Sequence, residues 1–338
     1  GHRRPPRAPT LVTRTADGPI RWAIVATGGI ASSFAADLHA TADAEVVAVA
    51  SRTEARARAF ADERGIDRAY GDVGAMLDDG DIDVVYVATP HPQHTAPTRL
   101  ALEAGVAVLC EKPLAADPAE AAALVALARE LQVFLAEAMW MRCDPLLIEA
   151  RQLVADGAIG ELRVITADLG FPAPYDADSR LWAPELGGGA LLDVGVYPVA
   201  FARTFLSDVP ELVGVAGALA PTGVDADATV LLAAGAVQAR LSCSLVAPLP
   251  STGSLVGTAG ELRFDAPVHR PARRTLVRPG QAPQVTEAEP HLPAYAHEIA
   301  EVHACLRSGR TESTLIPLDE SLEVLTILDE ARRQLGAR

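Results

Sequence analysis

Lysine is almost missing from this chain. Of 338 residues, 29 are Lys or Arg, and Lys112 is the single lysine among them. Cysteine is sparse as well: Cys110, Cys143, Cys243 and Cys305 stand alone, with no CxxC pair and no histidine at zinc-ligand spacing. That excludes a zinc-finger type of site, implies no metal, and fits a reducing, cytoplasmic setting. No apolar run reaches the roughly 18 residues of a membrane span, because Arg, Asp, Glu or Pro interrupts each candidate, so no membrane partner is expected. The opening GHRRPPRAPTLVTRTADG has basic residues without an apolar segment behind them, and reads as a disordered tail over 1–19 rather than a signal peptide. Positive charge is short overall, with a net charge of −15 and a pI near 4.9. No basic stripe interleaved with aromatics appears, which argues against a nucleic-acid partner.

What is present is a 49% hydrophobic chain long enough for two domains. Between 20 and 138, continuous apolar runs (RWAIVA, AEVVAVA, DVVYVAT, VAVLC, VFLAE) alternate with helical patterns. This is the mark of parallel strands buried on both faces, hence an α/β chain opening with a doubly wound, Rossmann-type domain. After a helix predicted over 145–156 the texture changes to consecutive short strands. Residues 139–338 therefore read as an α+β domain with a large open, mostly antiparallel sheet, suited to substrate binding and oligomerisation. One helix over 190–206 interrupts it, and helices over 295–306 and 318–335 close the chain. The proline-rich segment 266–293 reads as a long loop, either a lid or a subunit contact.

The first strand-to-helix turn is VATGGIASSF. The dinucleotide pattern G-x-G-x-x-G/A falls on Ala26, Gly28 and Ala31, so alanine replaces the first glycine, which is tolerable if Ala26 keeps a negative φ. Thr27, Gly28, Gly29 and Ile30 then bring backbone amides to a pyrophosphate at the helix N-terminus. Where an NAD site places Asp or Glu at the end of the second strand, this chain has Ser51 and Arg52, with Arg56 one turn on. A hydroxyl and a planar guanidinium match a 2′-phosphate, so NADP is favoured over NAD.

Ligands of open α/β sheets bind beyond the carboxyl ends of the strands. The later strand ends carry TPHPQH (Thr89, Pro90, His91, His94), EKP (Glu111, Lys112, Pro113) and EAMWMR (Trp140, Arg142). His94 also suits a helix cap. In LWAPELGGGALLDVGVYPVA, three glycines precede Asp193 and Tyr197, which at i and i+4 share a helix face. Phe171, Tyr175, Trp140 and Trp182 offer flat apolar surfaces for a sugar ring or cyclic diol.

Together ATGGIA, SRT, CEKPLA, GGGALLDVGVY and SLEVLTILDEARRQLG resemble the Gfo/Idh/MocA oxidoreductases over essentially the whole chain from Ile20 to Gly336. EAMWMR and Tyr197 look closest to the branch with dimeric dihydrodiol dehydrogenase, NADP-dependent xylose dehydrogenase and glucose-fructose oxidoreductase; Ala26 departs from the pattern. The resemblance implies an active-site lysine at Lys112 followed by a cis Pro113, a helix pair Asp193 and Tyr197, and positions near nicotinamide or substrate at Arg180 and Trp182. Cofactor contacts are then expected at Thr27, Gly28, Gly29, Ile30, Ser51, Arg52, Arg56, Thr89, Pro90, His94, Glu111, Lys112, Arg180 and Trp182. Substrate contacts are expected at His91, Lys112, Trp140, Arg142, Phe171, Tyr175, Asp193 and Tyr197.

In the expected chemistry Tyr197 is the acid/base, the Lys112 ammonium lowers its pKa, and Asp193 orients the lysine or the substrate hydroxyl. The substrate is a small sugar, polyol, cyclic diol or keto-sugar. A nucleotide-linked keto-sugar is the rival within the enzyme class, and a non-catalytic dinucleotide sensor the rival outside it. An open sheet face needs covering, so a homodimer or homotetramer is expected.

Overall fold

The computed structural model describes residues 18–289 and 292–338. Most of the tail reading over 1–19 lies outside the described residues.

Six parallel strands, β1 (Ile20–Val25), β2 (Ala44–Ala50), β3 (Arg68–Tyr70), β4 (Val84–Val87), β5 (Ala107–Glu111) and β6 (Leu135–Ala138), form a sheet of order β3-β2-β1-β4-β5-β6. The order reverses between β1 and β4, which opens a crevice at their carboxyl ends. Every residue of β4 and β5 is buried, as continuous apolar runs require. The helices α1 (Gly29–His39), α2 (Glu54–Arg64), α3 (Val73–Asp79), α4 (Thr95–Glu103) and α5 (Pro118–Leu131) connect them. Local chemistry fixes their ends. Thr53 and Asp117 accept backbone N–H bonds at the starts of α2 and α5, Pro118 takes the first turn of α5, and Gly65 ends α2 in the left-handed region at φ 67°.

After α6 (Pro145–Ala155), strand β7 (Leu162–Gly170) enters the second sheet. Then come α7 (Val196–Phe205), β8 (Glu211–Leu219), β9 (Asp225–Ala234), β10 (Val237–Ser244), β11 (Gly253–Gly257), β12 (Glu261–Phe264), β13 (Arg273–Val277) and β14 (Gln284–Glu287). The order is β14-β13-β12-β11-β7-β10-β9-β8, antiparallel except for β7 beside β10. The inward residues Ile165, Val230, Leu232, Leu241 and Leu255 are buried, whereas Leu231, Val213 and Val285 are exposed.

One reading needs correction. The 266–293 segment is not a long loop: it holds β13 and β14. Arg274 takes a core-facing position there and hides the alternation, its Nη2 bonded to Glu149 at 3.1 Å and to the Thr286 hydroxyl at 3.0 Å. The edge strand β8 and the short β3 and α3 also escape the sequence patterns.

Of the final helices, α8 (Ala296–Arg307) returns to the first sheet, and α9 (Leu318–Leu335) packs on α7 and β8 and reaches α5 and β6. Ile299, Val302 and Cys305 of α8 pack with Trp22, Phe34 and Leu38. The Trp22 indole N–H donates to His303 Nε2 at 3.0 Å, and His303 Nδ1 faces Asp43 at 3.2 Å. The split at 138/139 thus describes chain order better than packing, because α8 completes a layer of the nucleotide-type domain.

Candidate active site

The turn after β1 carries strain. Ala26 adopts φ 117°, so the condition on which alanine would replace glycine without cost is not met. An L-residue in such a region costs about 1–3 kcal/mol, and glycine's greater freedom in the unfolded chain offsets about 0.5–1 kcal/mol of that. Ala26→Gly is therefore expected to stabilise the fold by about 1 kcal/mol, seen as a higher urea midpoint; an unchanged or lower midpoint refutes the strain assignment.

Beyond it, Gly28 and Gly29 are exposed, and a Cβ at either would meet nothing within 4 Å. Gly28 offers no side-chain cap and α1 has no acid in its first turn, leaving its amides open to an anion. The Thr27 and Ser51 hydroxyls lie 3.4 Å apart, joining the ends of β1 and β2. Arg52 and Arg56 are exposed at the start of α2, and neither guanidinium has an ion-pair partner among the described residues. Thr89 Oγ1 is buried without a partner, and Pro90 follows it at the end of β4. An open glycine cradle, free helix amides and two arginines without ion-pair partners among the described residues fit a dinucleotide, whose phosphates Thr27, Gly28, Gly29 and Ile30 could hold and whose ribose end Ser51, Arg52 and Arg56 could hold.

Four elements converge on Lys112, at the end of β5, where the Lys112–Pro113 peptide is cis as the resemblance implies. Its ammonium donates to the Asp193 backbone carbonyl at 2.6 Å and lies 4.9 Å from the centroid of the Tyr197 ring. The Asp193 carboxylate is 3.8 Å from Lys112 Nζ and accepts from Arg180 Nη1 at 2.7 Å. Asp193 sits in a π-helical turn, Leu191–Gly195, which runs directly into α7. The start of this turn is held by Asp225 of β9, which accepts from the Leu191 N–H at 2.5 Å. The carboxylate also explains Gly189, whose φ is 119° and whose added Cβ would lie 2.5 Å from Asp225 Oδ1.

Tyr197 Oη accepts the Trp140 indole N–H at 3.1 Å, which leaves its own O–H free to donate. Burial, followed by the charges of Glu111, Asp193 and Glu298, pushes the phenol well above its usual range. The resting site therefore does not lower the Tyr197 pKa as expected: the ammonium lies over the ring face, and burial prevails. Asp193 meets the lysine through its backbone carbonyl and, more distantly, through its carboxylate, which is held below the usual range against burial by Lys112 and Arg180.

Several of the expected contact residues are bonded within the protein. Glu111 is buried, which raises its pKa; it accepts from the Tyr86 hydroxyl and from the Lys112 N–H at 3.2 Å, so it braces the turn. The His94 side chain neither caps α4 nor lies open to a cofactor. Fully buried, it sets Nδ1 2.8 Å from the Pro113 carbonyl and Nε2 2.8 Å from that of Thr89. His91 Nδ1 meets the Gly187 carbonyl at 3.1 Å, and burial lowers its pKa to about 3, so it anchors the glycine turn in its neutral form. Arg142 is buried, and its Nη1 pairs with Glu320 of α9 at 2.5 Å. Trp182, 1% exposed, donates to the Pro174 carbonyl at 2.9 Å and so supports its loop. Tyr175 lies 5.5 Å from Trp182, and Tyr175 and Phe171 are exposed.

Three site residues had no sequence signal. Tyr295, at the start of α8, lies 5.5 Å from the Trp140 ring, His269 lies 5.0 Å from that of Tyr197, and Asp225 holds the π turn. Each is a lone residue delivered from far along the chain.

Family models match both parts of the chain. Residues 20–139 match the GFO/IDH/MocA oxidoreductase family with its NAD-binding Rossmann fold, and residues 147–263 match the GFO/IDH/MocA C-terminal domain. The chain belongs to the GFO/IDH/MocA oxidoreductases. Among family relatives, trans-1,2-dihydrobenzene-1,2-diol dehydrogenase of Macaca fuscata fuscata is 39% identical over 330 residues, spanning 94% of this chain and 97% of the relative. The human protein of the same name is 38% identical over 333 residues, spanning 94% and 97%. Among solved structures, a 3-ketoreductase from Actinomadura kijaniata, in complex with NADP and TDP-benzene, has a TM-score of 0.82 at 29% identity. It covers 94% of this chain and 98% of its own. Among the described residues, no helix is long and apolar enough to cross a membrane.

Proposed function

We propose that this protein is an NADP-dependent dehydrogenase or reductase that moves a hydride between nicotinamide and the carbinol carbon of a small sugar, polyol or cyclic diol. The observation that carries this reading is the convergence of Lys112, Asp193, Trp140 and Tyr197 beyond the carboxyl ends of the parallel strands. Bound nicotinamide supplies the hydride acceptor or donor. The protein handles the proton: Tyr197, its acceptor side taken by Trp140, donates to a carbonyl oxygen in reduction, and as phenolate takes the hydroxyl proton in oxidation. Lys112, fixed by the Asp193 carbonyl, stabilises negative charge developing on that oxygen.

Arg52 and Arg56 support NADP, as does the NADP bound in the similar ketoreductase. Glu54 in the first turn of α2 favours NAD as the second reading. Arg52→Ala with Arg56→Ala is expected to raise KM for NADP about tenfold or more and to leave KM for NAD within about threefold. Equal effects on both cofactors would remove the phosphate site. Likeness to that ketoreductase supports the nucleotide-linked keto-sugar alternative, which a substrate screen with free diols, free sugars and TDP-linked keto-sugars separates. Stoichiometric NADPH binding with no turnover on any of them would favour the sensor.

The exposed side chains Leu231, Val213 and Val285 of the second sheet support a homo-oligomer formed on that sheet. A monomer by light scattering at micromolar concentration contradicts it. Four free, buried cysteines support a reducing, cytoplasmic setting; cell fractionation that places the protein in the periplasm or medium refutes it.

A further inference from the structure

Asp225 is fully buried at the start of β9, and no cation forms an ion pair with it among the described residues. Burial raises its pKa, an effect the Leu191 N–H offsets only in part. A carboxyl is costly to enclose in this way, and packing alone would favour an apolar residue of the same shape. The position itself is rigid. Asp225 stands opposite Leu219 of β8, the Leu245 N–H donates to the neighbouring Ala226 carbonyl at 2.8 Å, and the Ala220 N–H donates to that of Val224 at 2.8 Å.

What the carboxylate holds is the register of a turn. Leu191–Gly195 is π-helical, whereas Val196–Phe205 is α-helical. In the π register a carbonyl meets the N–H five residues on, and for Asp193 that residue is Pro198, which has none. The Asp193 carbonyl instead accepts the Lys112 ammonium at 2.6 Å. Both ends of the turn are fixed by the second sheet. Asp225 accepts the Leu191 N–H at 2.5 Å, and Gly195 lies so close to β10 that an added Cβ would come within 2.9 Å of Cys243 Sγ. A slip into plain α register would hand the Asp193 carbonyl to the Tyr197 N–H, four residues on, and turn it away from Lys112.

Building on the oxidoreductase reading above, we infer that Asp225 is a positioning residue of the reaction: by fixing the π turn it keeps the Asp193 carbonyl available to hold the Lys112 ammonium against the Tyr197 ring. The competing explanation is a helix-start cap that serves stability alone. Asp225→Leu keeps the shape and deletes the acceptor, Asp225→Ala deletes both, and Asp225→Asn keeps an acceptor oxygen.

The test reads Lys112 directly. Because it is the single lysine, isotope-labelled lysine gives one side-chain NMR signal. In the Leu and Ala variants this signal is expected to move to the position and narrow width of an unrestrained lysine. Their kcat is expected to fall about 30-fold or more with KM for NADP within about threefold, and Asp225→Asn to recover both readouts in large part. If one of the two deletions does not fold, the other gives the result. A lower melting temperature with the Lys112 signal and kcat unchanged means a structural cap and overturns the inference, as does equal loss in the Asn variant. The NMR readout needs no substrate, so the two readings fail separately. An unmoved signal in variants of an active wild type overturns this inference alone, whereas a wild type that turns over no sugar, polyol or ketone overturns the oxidoreductase reading on which it rests.

Discussion

Lys112→Arg is expected to lower kcat about a thousandfold, roughly 4 kcal/mol of transition-state stabilisation, with NADP affinity within about threefold of wild type. The reason is geometric. The ammonium fits between the Asp193 carbonyl at 2.6 Å and the face of the Tyr197 ring at 4.9 Å, and still has a donor for the substrate oxygen. A guanidinium is planar and broad, and it cannot fill this place without displacing the π turn or the phenol. In a chain that otherwise spells positive charge as arginine, this is the place where arginine fails. An intact melt and intact NADP binding distinguish lost chemistry from lost structure. Near-normal kcat would show that any cation serves, and the electrostatic role of Lys112 would fall.

Tyr197→Phe should cost a similar factor, since positioned acid–base groups contribute about 10²–10⁴-fold, and it should also erase a pH dependence. Burial and the surrounding carboxylates hold the phenol protonated above its ordinary range. Reduction needs that proton and should be flat across neutral pH. Oxidation needs the phenolate, so its kcat should rise nearly tenfold per pH unit up to at least about pH 10, the ordinary pKa of the group. Phenylalanine should leave a low rate without that slope. An oxidation rate that levels off near pH 7 in the wild type would mean that the phenol is acidic in the working complex and that the Lys112 charge outweighs burial there.

Much of this was legible in the sequence because it rests on local signals. Continuous apolar runs marked β1, β2, β4, β5 and β6; Gly28, Asp193 and Tyr197 stood out by spacing, and Lys112 as the single lysine, its active-site role implied by the family resemblance. What escaped depends on partners remote in sequence. Arg142 and Trp182 stand beside the motifs, yet Arg142 Nη1 bonds Glu320 and the Trp182 indole N–H bonds the Pro174 carbonyl. Spacing cannot tell a ligand contact from a support when both need a buried polar group. His269 had the opposite fate, a lone histidine in a proline-rich stretch that becomes part of the site only when β12 and β13 pair. The φ of Ala26 belongs to the same class: the substitution was visible, but the conformation that makes it costly was not.

The most direct measurement is initial-rate reduction of NADP with trans-diols, polyols and aldoses, and oxidation of NADPH with keto-sugars, followed at the nicotinamide absorbance for wild type, Lys112→Arg and Tyr197→Phe. This account predicts turnover by the wild type on at least one class and loss of about a thousandfold in both variants, with nucleotide binding intact. Undiminished turnover in either variant, or a wild type that binds NADPH and turns over nothing, would contradict it.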